Sequence, residues 1–529
     1  MFGPRWGGLL AAAVLLVWAA GAALPLSDYD LGMHLRVGEW IVTRAALPRT
    51  EPFAWTRAGA PYLAYSWLAE ASYYLVWREW GPWALQALNG VVLVAGALAV
   101  GLFARLARHS AWTTALLVAA HVVVMALCAP TLRPQGLLAV ALPLCWAATA
   151  RLARDLDDGA HGTGSGARWP YLLLVGATAL AANTHLFAPG CAAALALVVP
   201  RGGDRRGWRV LLHAATAVGI GLLCTPYAAE WSAVYRLYLA PTPLLRFPSP
   251  ITELTPGVVY LTRGFGAAWV IAPALALLPW LVRPTGDARP AERDVLVPAP
   301  VPGALLWLGG LLFFGLAIRG LFVWWLVCLP LTAAALGRVP TPTVGGVGRL
   351  LRAAPLALFA VMAAGNAREG AEARAEAWSA SPRRLPNPVA GGALRLADSL
   401  DRVAPGGSGR MVTTFNYGNA LLWRLPRYSM SLDGRAVFPD SATALDGWVR
   451  ASRRADTLRA PLADADLVLL PDGHTGLAQV ARAPGWARVA RLRPARGVAG
   501  DTAELWARAA WLRRYGARVP ARAVVASAR

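Results

Sequence analysis

The chain has 529 residues, 57% of them hydrophobic and only 15% charged, and its mean hydropathy is +0.45. A soluble domain carries about 25% charged residues, so this composition excludes an ordinary cytosolic enzyme, a disordered chain and a disulfide scaffold, and predicts a polytopic membrane protein. The net charge of +22 comes from 51 basic and 29 acidic residues. No lysine occurs, and the arginines at the ends of and in short loops between apolar runs are a topology signal and not a nucleic-acid footprint.

A bilayer core takes about 20 apolar residues per helix. Eleven runs are candidates, near 6–24, 82–104, 111–129, 136–150, 170–187, 188–200, 210–225, 264–282, 302–318, 320–337 and 353–366. The first has no A-x-A cleavage site leading into a soluble domain, so it is read as an uncleaved helix. One set of ends and loops holds 16 arginines, among them Arg105, Arg151, Arg205, Arg283 and Arg338, and is predicted to face the cytoplasm. The opposite loop 25–81 carries five arginines and six acids. With the N-terminus cytoplasmic, residues 367–529 then lie outside, which in a bacterial inner membrane is the periplasmic or extracellular side. The five cysteines (Cys128, Cys145, Cys191, Cys224 and Cys328) sit in apolar runs without a CxxC pair, and read as small buried hydrophobes.

Residues 1–366 therefore form the membrane module, with outer loops 25–81 and 226–263. A polar helix and a Pro/Gly-rich linker fill 367–393. Residues 394–508 alternate between helix and strand, with a helix near 392–403, strands near 410–415, 428–432, 466–470 and 487–491, and a helix continuing from the turn at NYGNALLWRL. That pattern predicts a small extracytoplasmic α/β domain of about four strands. The Arg/Ala-rich stretch 509–529 reads as a frayed tail. No internal repeat is apparent, so an inverted-repeat transporter gains no support.

The residues best suited to chemistry follow the first helix, in Ser27-Asp28-Tyr29-Asp30-Leu31-Gly32-Met33-His34. Two carboxylates stand within a few residues of the membrane surface, where such a group can act as a general base toward a hydroxyl. If Asp30 opens a helix, His34 at i+4 shares its face. The competing reading makes Asp28 or Asp30 a helix cap. Paired carboxylates also suit Mg²⁺ or Mn²⁺, so Asp28/Asp30 is a candidate divalent-metal site. Glu70, in Trp67-Leu68-Ala69-Glu70, belongs to an aromatic interfacial helix and faces either solvent or the site. Arg133, Asn183, His185, Glu253 and Arg319 sit at the ends of spans or in the outer loop, and under one topology all fall on the side of Asp28 and Asp30. Polar groups at membrane depth are costly and are functional candidates, although Asn183 and His185 also suit helix-to-helix hydrogen bonding. His121 and His213 read as packing residues. Arginine beside a carboxylate suits a sugar phosphate: the guanidinium binds the anionic leaving group, and the carboxylate takes the proton of the attacking hydroxyl.

At these residues the chain resembles the GT-C superfamily of polyprenyl-phosphate-sugar-dependent membrane glycosyltransferases, and within it a bacterial branch. The resemblance is carried by the pair Asp28/Asp30, by His34 to Gly38, by Pro48 to Phe53 and by Trp67 to Glu70. Asn183 with His185, Thr225-Pro226-Tyr227, Glu253, Phe415 to Trp423 and Ser431 to Arg435 also fit. It implies a GT-C membrane module of about 11 helices with a C-terminal α/β domain. It implies inverting transfer from a lipid-phosphate sugar to an extracytoplasmic glycan, lipid or protein. The role of base falls to Asp30, with Asp28 second. His34, Glu70, Arg133, Asn183, His185, Glu253 and Arg319 are the candidate substrate-binding residues. Ser66, Leu254 and Thr184 depart from the branch pattern and leave open a changed acceptor or weakened catalysis. Two other classes remain: a GT-C-like envelope assembly protein without catalysis, and a transporter or lipid flippase, which would spread polar groups through mid-membrane and over both faces.

Overall fold

The computed structural model describes residues 4–23, 30–128, 132–157, 168–186, 188–198, 205–238, 271, 274, 277, 300–316, 320–339, 353–354, 356–365, 367, 383, 390–432, 459–493 and 501–516. Helix α1 (Pro4–Ala23) leads into the first long connection, which holds α2 (Leu31–Arg44) and α3 (Trp67–Trp80). The bundle continues with α4 (Pro82–Leu106), α5 (Ala111–Cys128), α6 (Leu138–Asp157), α7 (Trp169–Ala182), α8 (Ala188–Val198), α9 (Arg205–Leu223) and α10 (Trp231–Tyr238). After α11 (Pro300–Leu316) come two short helices, α12 (Gly320–Val327) and α13 (Leu329–Leu336).

Proline starts several of these helices at a position where its missing N–H costs nothing, as Pro82 does in α4 and Pro170 in α7. One continuous apolar core joins α4, α5, α6, α7, α9 and α12, with Phe103, Leu117, Trp146, Leu174 and Trp324 at its centre. Several of its polar atoms bond between helices. Trp146 Nε1 donates to the Leu326 carbonyl at 3.0 Å, Trp325 Nε1 donates to His121 Nδ1 at 3.0 Å, and Asn89 Nδ2 donates to the Gly21 carbonyl at 2.9 Å. His213 meets Tyr171 edge-on at 5.5 Å.

Two described helices, Pro82–Leu106 and Pro134–Asp155, are long and apolar enough to cross a membrane. Gly207–Leu223 and Ala228–Arg236 make a third if the 98° bend between them lies within one span. Eleven crossing helices are therefore not reached among the described residues. Of the expected run 188–200, the described helix α8 covers 11 residues. The 320–337 run is split in two at Cys328.

The C-terminal part contains α14 (Gly391–Val403), β1 (Gly409–Thr413), α15 (Phe415–Arg424), β2 (Tyr428–Met430), α16 (Arg459–Asp464), β3 (Leu467–Pro471), α17 (Thr475–Arg482), β4 (Trp486–Leu492), β5 (Ala503–Arg508) and α18 (Ala509–Gly516). The strand order is β2-β1-β3-β5-β4. Strand β1 runs parallel to β2 and β3, and β5 runs antiparallel to β3 and β4. Five strands thus stand where the sequence predicts about four. The stretch 509–516, expected as part of a frayed tail, is helical, with Trp511 buried and donating to the Ser408 carbonyl at 3.1 Å.

This sheet is continuous with the first long connection. Ala54 bridges Met430 in parallel, Trp55 Nε1 donates to the Met411 carbonyl at 3.3 Å, and Thr56 Oγ1 donates to the Ser431 carbonyl at 2.5 Å. Val37, Ile41, Phe53 and Tyr62 share one core with Leu396, Met411, Leu421 and Leu467.

Candidate active site

Asp30 occupies the N-cap position of α2, but its side chain makes no capping hydrogen bond. The carboxylate turns instead toward two groups from elsewhere in the chain. Asn419 Nδ2, on α15, donates to Asp30 Oδ1 at 2.8 Å. Arg133 Nη2, just ahead of the short 3-10 turn Pro134–Leu137 that leads into α6, lies 3.5 Å from Asp30 Oδ2. The side chains are largely shielded yet reachable: 18% of Asp30 and 12% of Arg133 remain exposed, while Asn419 is fully buried.

Helix α15 starts where Thr414 caps it, its side chain accepting from Tyr417 N. Asn419 and Trp423, one turn apart, then face α2. The approach is close: a Cβ on Gly32 would stand 2.7 Å from the Asn419 carbonyl oxygen.

One turn along α2, His34 Nδ1 lies 3.0 Å from Glu70 Oε1 on α3. Glu70 is 4% exposed, and its Oε2 has no hydrogen-bond partner among the described residues. Of the two orientations the sequence allows for Glu70, the structure shows the inward one. Gly38 makes this pairing reachable, since a Cβ there would come within 2.0 Å of the Glu70 carbonyl oxygen. The His-x-x-x-Gly spacing therefore places the imidazole and the point of closest helix approach on one face, one turn apart.

At the start of α3, Trp67 Nε1 donates to Asn183 Oδ1 at 2.7 Å. Asn183 Nδ2 donates to the carbonyls of Ala179 at 2.8 Å and Cys224 at 2.7 Å. These bonds hold α3, α7 and the end of α9 together, which is the helix-joining role its sequence position also allows, and they engage the amide that substrate contact would need. His185 stands edge-on to Tyr65 at 6.1 Å. Glu51, from the Pro48–Phe53 segment, accepts from the backbone N–H of Phe53 at 2.7 Å and Ala54 at 2.8 Å, fixing the turn that feeds the sheet edge. Arg49 reaches Glu230 at 2.5 Å and lies over the Tyr227 ring at 5.0 Å.

A second charged cluster pins α15 to α2. Glu39 accepts from Arg36 Nη1 and from Arg383 Nη2, each at 2.5 Å. Arg383 lies over Trp423 at 4.4 Å and Trp77 at 5.6 Å, and Arg36 Nη2 donates to the Pro426 carbonyl at 2.9 Å. Burial works to raise the Glu39 carboxyl, but hydrogen bonds and charge from Arg383 and then Arg36 outweigh it and hold its pKa below the usual value.

Of the predicted site residues, Asp30 and Arg133 come together, His34 and Glu70 pair beside them, and Asn183 meets Trp67 at the same end of α3 as Glu70, with His185 against Tyr65. Asp28, Glu253 and Arg319 lie outside the described residues. Among those described, no group of three or more His, Cys, Asp or Glu side chains could hold a metal ion. A guanidinium beside Asp30 also opposes a divalent cation at that oxygen, so the described residues do not fit a Mg²⁺ or Mn²⁺ site there. Sequence reasoning missed Asn419, Glu39 and Arg383. The available signal for Asn419 was an amide one turn before Trp423, at the head of the apolar stretch Ala420–Trp423 of its helix.

Neither a protein-family model nor a curated protein sequence matches the chain. Solved structures do. The crystal structure of ArnT from Cupriavidus metallidurans in the apo state matches over 96% of this chain and 98% of its own, with 15% identity and a TM-score of 0.54. The archaeal oligosaccharyltransferase AglB from Archaeoglobus fulgidus, in complex with an inhibitory peptide and a dolichol-phosphate, matches over 87% of this chain and 69% of its own, with 10% identity and a TM-score of 0.54. The arabinofuranosyltransferase AftD from Mycobacteria matches over 96% of this chain at 18% identity and a TM-score of 0.50, and this chain spans 40% of its length. ArnT has also been solved bound to undecaprenyl phosphate, and that structure matches over 95% of this chain with 15% identity and a TM-score of 0.50. As the sequence resemblance implies, the chain has the fold of the GT-C superfamily of membrane glycosyltransferases.

Proposed function

We propose that this chain is a membrane glycosyltransferase that moves a sugar from a polyprenyl-phosphate-linked donor to a hydroxyl of an extracytoplasmic glycan, lipid or protein. The observation that carries the reading is the Asp30 side chain. It forgoes capping its own helix and meets Arg133 and the C-terminal domain at a partly open position. In the reaction the acceptor oxygen forms a bond to the anomeric carbon as the bond from that carbon to the phosphate oxygen breaks. The acceptor proton passes to Asp30, polyprenyl phosphate leaves as the anion, and the configuration inverts. A guanidinium offers five N–H donors, so Arg133 serves both Asp30 and the departing phosphate. His34 and Glu70 line the acceptor side. Undecaprenyl phosphate on ArnT and dolichol-phosphate on AglB support the donor class. The topology belonging to this reading has eleven spans in a bacterial inner membrane, the N-terminus in the cytoplasm and the C-terminal domain outside.

The test is transfer in membranes carrying the full chain, supplied with radiolabelled undecaprenyl-phosphate-linked hexoses, pentoses and N-acetylhexosamines. Label from one donor passes to an acceptor fraction with the natural chain, and Asp30→Asn lowers the rate by 10²–10⁴-fold, roughly the worth of a general base. Undiminished transfer by Asp30→Asn removes Asp30 as base. No transfer from any donor by the natural chain favours the envelope assembly reading.

A further inference from the structure

We infer that Asn419 is a positioning residue for Asp30, so that the C-terminal domain completes the reaction centre of the membrane module. The inference rests on the proposed role of Asp30 as base.

The contact spans 389 residues of sequence, with Asn419 Nδ2 donating to Asp30 Oδ1 at 2.8 Å. A carboxylate at the first turn of a helix has a local alternative, the free backbone N–H groups of that turn, and Asp30 does not take it. The amide donor from α15 competes with that local capture and aims the carboxylate at Arg133. The surrounding contacts leave Asn419 little freedom to move. It is fully buried, its helix approaches α2 at Gly32, which has no Cβ, and Trp423 one turn on stands edge-on to Trp77 at 4.6 Å. The Glu39–Arg383 cluster fastens the same face of α15 to α2 and α3. Undocking this domain therefore withdraws the donor and frees Asp30 to fold back onto its own helix.

The experiment uses the purified full chain in nanodiscs at neutral pH. The infrared carboxylate stretch of Asp30 is assigned by subtracting the Asp30→Asn spectrum. Asn419→Leu, which keeps the volume and removes the donor, shifts that stretch. With the undecaprenyl-phosphate-linked sugar that supports transfer, it also lowers kcat about 10²-fold, the cost of a misplaced group, with KM for the donor unchanged. Asn419→Asp opposes two carboxylates and lowers the unfolding midpoint, and adding Asp30→Asn restores the midpoint. An unshifted stretch in Asn419→Leu overturns the inference, as does an Asn419→Asp loss of equal size in the natural and Asp30→Asn backgrounds. If the stretch shifts but Asp30→Asn still transfers sugar, the contact stands and the role of Asp30 as base fails.

Discussion

Glu39 offers the sharpest test of how the C-terminal domain is held. Its carboxylate neutralises Arg36 and Arg383, both at 2.5 Å. The side chains of Glu39, Arg36 and Arg383 are 13%, 21% and 26% exposed. Glu39→Gln keeps the shape and leaves two guanidinium groups facing each other. Breaking a fully buried pair costs about 3–5 kcal/mol and an exposed one at most about 1 kcal/mol. The partial exposure here screens the charges, so the expected cost is about 1–3 kcal/mol, between those limits. The pH dependence has a definite sign. The folded-state pKa lies below the ordinary carboxyl value, so the carboxylate contributes stability that is fully present above that value and is lost as pH falls through the lower, folded-state pKa. Hydrogen exchange of residues 415–424 in nanodiscs reads the docking directly. Glu39→Gln should speed exchange there about 5- to 150-fold at pH 7, the population change that 1–3 kcal/mol implies, and should flatten the acid dependence. Natural exchange rates at pH 7 in Glu39→Gln, or an unchanged acid dependence, would refute the assignment of this cluster to docking.

Gly38→Ala places a methyl group where it meets the Glu70 carbonyl at 2.0 Å; α3 must move, and the expected loss is about 3 kcal/mol of stability, read as a lower unfolding midpoint. Asn183→Leu removes the amide that joins Trp67 to the Ala179 and Cys224 carbonyls. Its expected cost is about 2–3 kcal/mol from the unpaired buried groups, visible as a shifted Trp67 emission in a fluorescence comparison with Trp67→Phe. Arg133→Ala should raise the donor KM at least tenfold in the membrane transfer assay, through loss of a charge-assisted phosphate contact; an unchanged KM would separate Arg133 from the donor.

The fold was legible in the sequence where apolar runs are long. Helix α4 spans Pro82–Leu106 against an expected run at 82–104, and α5 spans Ala111–Cys128 against 111–129. Within the run at 320–337 the helix breaks at Cys328, between α12 and α13, and hydropathy carries no sign of that break. Strand β5 was missed because its alternation includes Glu504, which is buried. Arg488 Nη1 at 3.4 Å and Trp506 Nε1 at 2.9 Å partner it from across the sheet and along the strand, and neither partnership is a local pattern. The same limit applies at the site. The Asp30–His34–Gly38 spacing and the arginine at 133 are legible because each has a helical period or a membrane-edge position to mark it. Asn419 and Arg383 gain meaning from their contacts with Asp30 and Glu39, hundreds of residues away.

The placement of Asp30 follows from how the two parts of the chain are joined. The first long connection gives Val37, Ile41, Phe53 and Tyr62 to the core of the C-terminal sheet and gives Leu31, Leu35 and Tyr73 to a second cluster that includes Trp423 of α15. Helix α2 is thus packed on one side by the C-terminal domain and on another by α3, and its first turn lies at the seam. A carboxylate there is reached by an arginine preceding α6 and by an amide of the sheet domain at once. Rigid packing on both sides fixes the direction of that carboxylate, and the incomplete closure around Asp30 and Arg133 leaves it open to a ligand. The catalytic role proposed for Asp30 requires both properties, and in this fold the seam supplies them together.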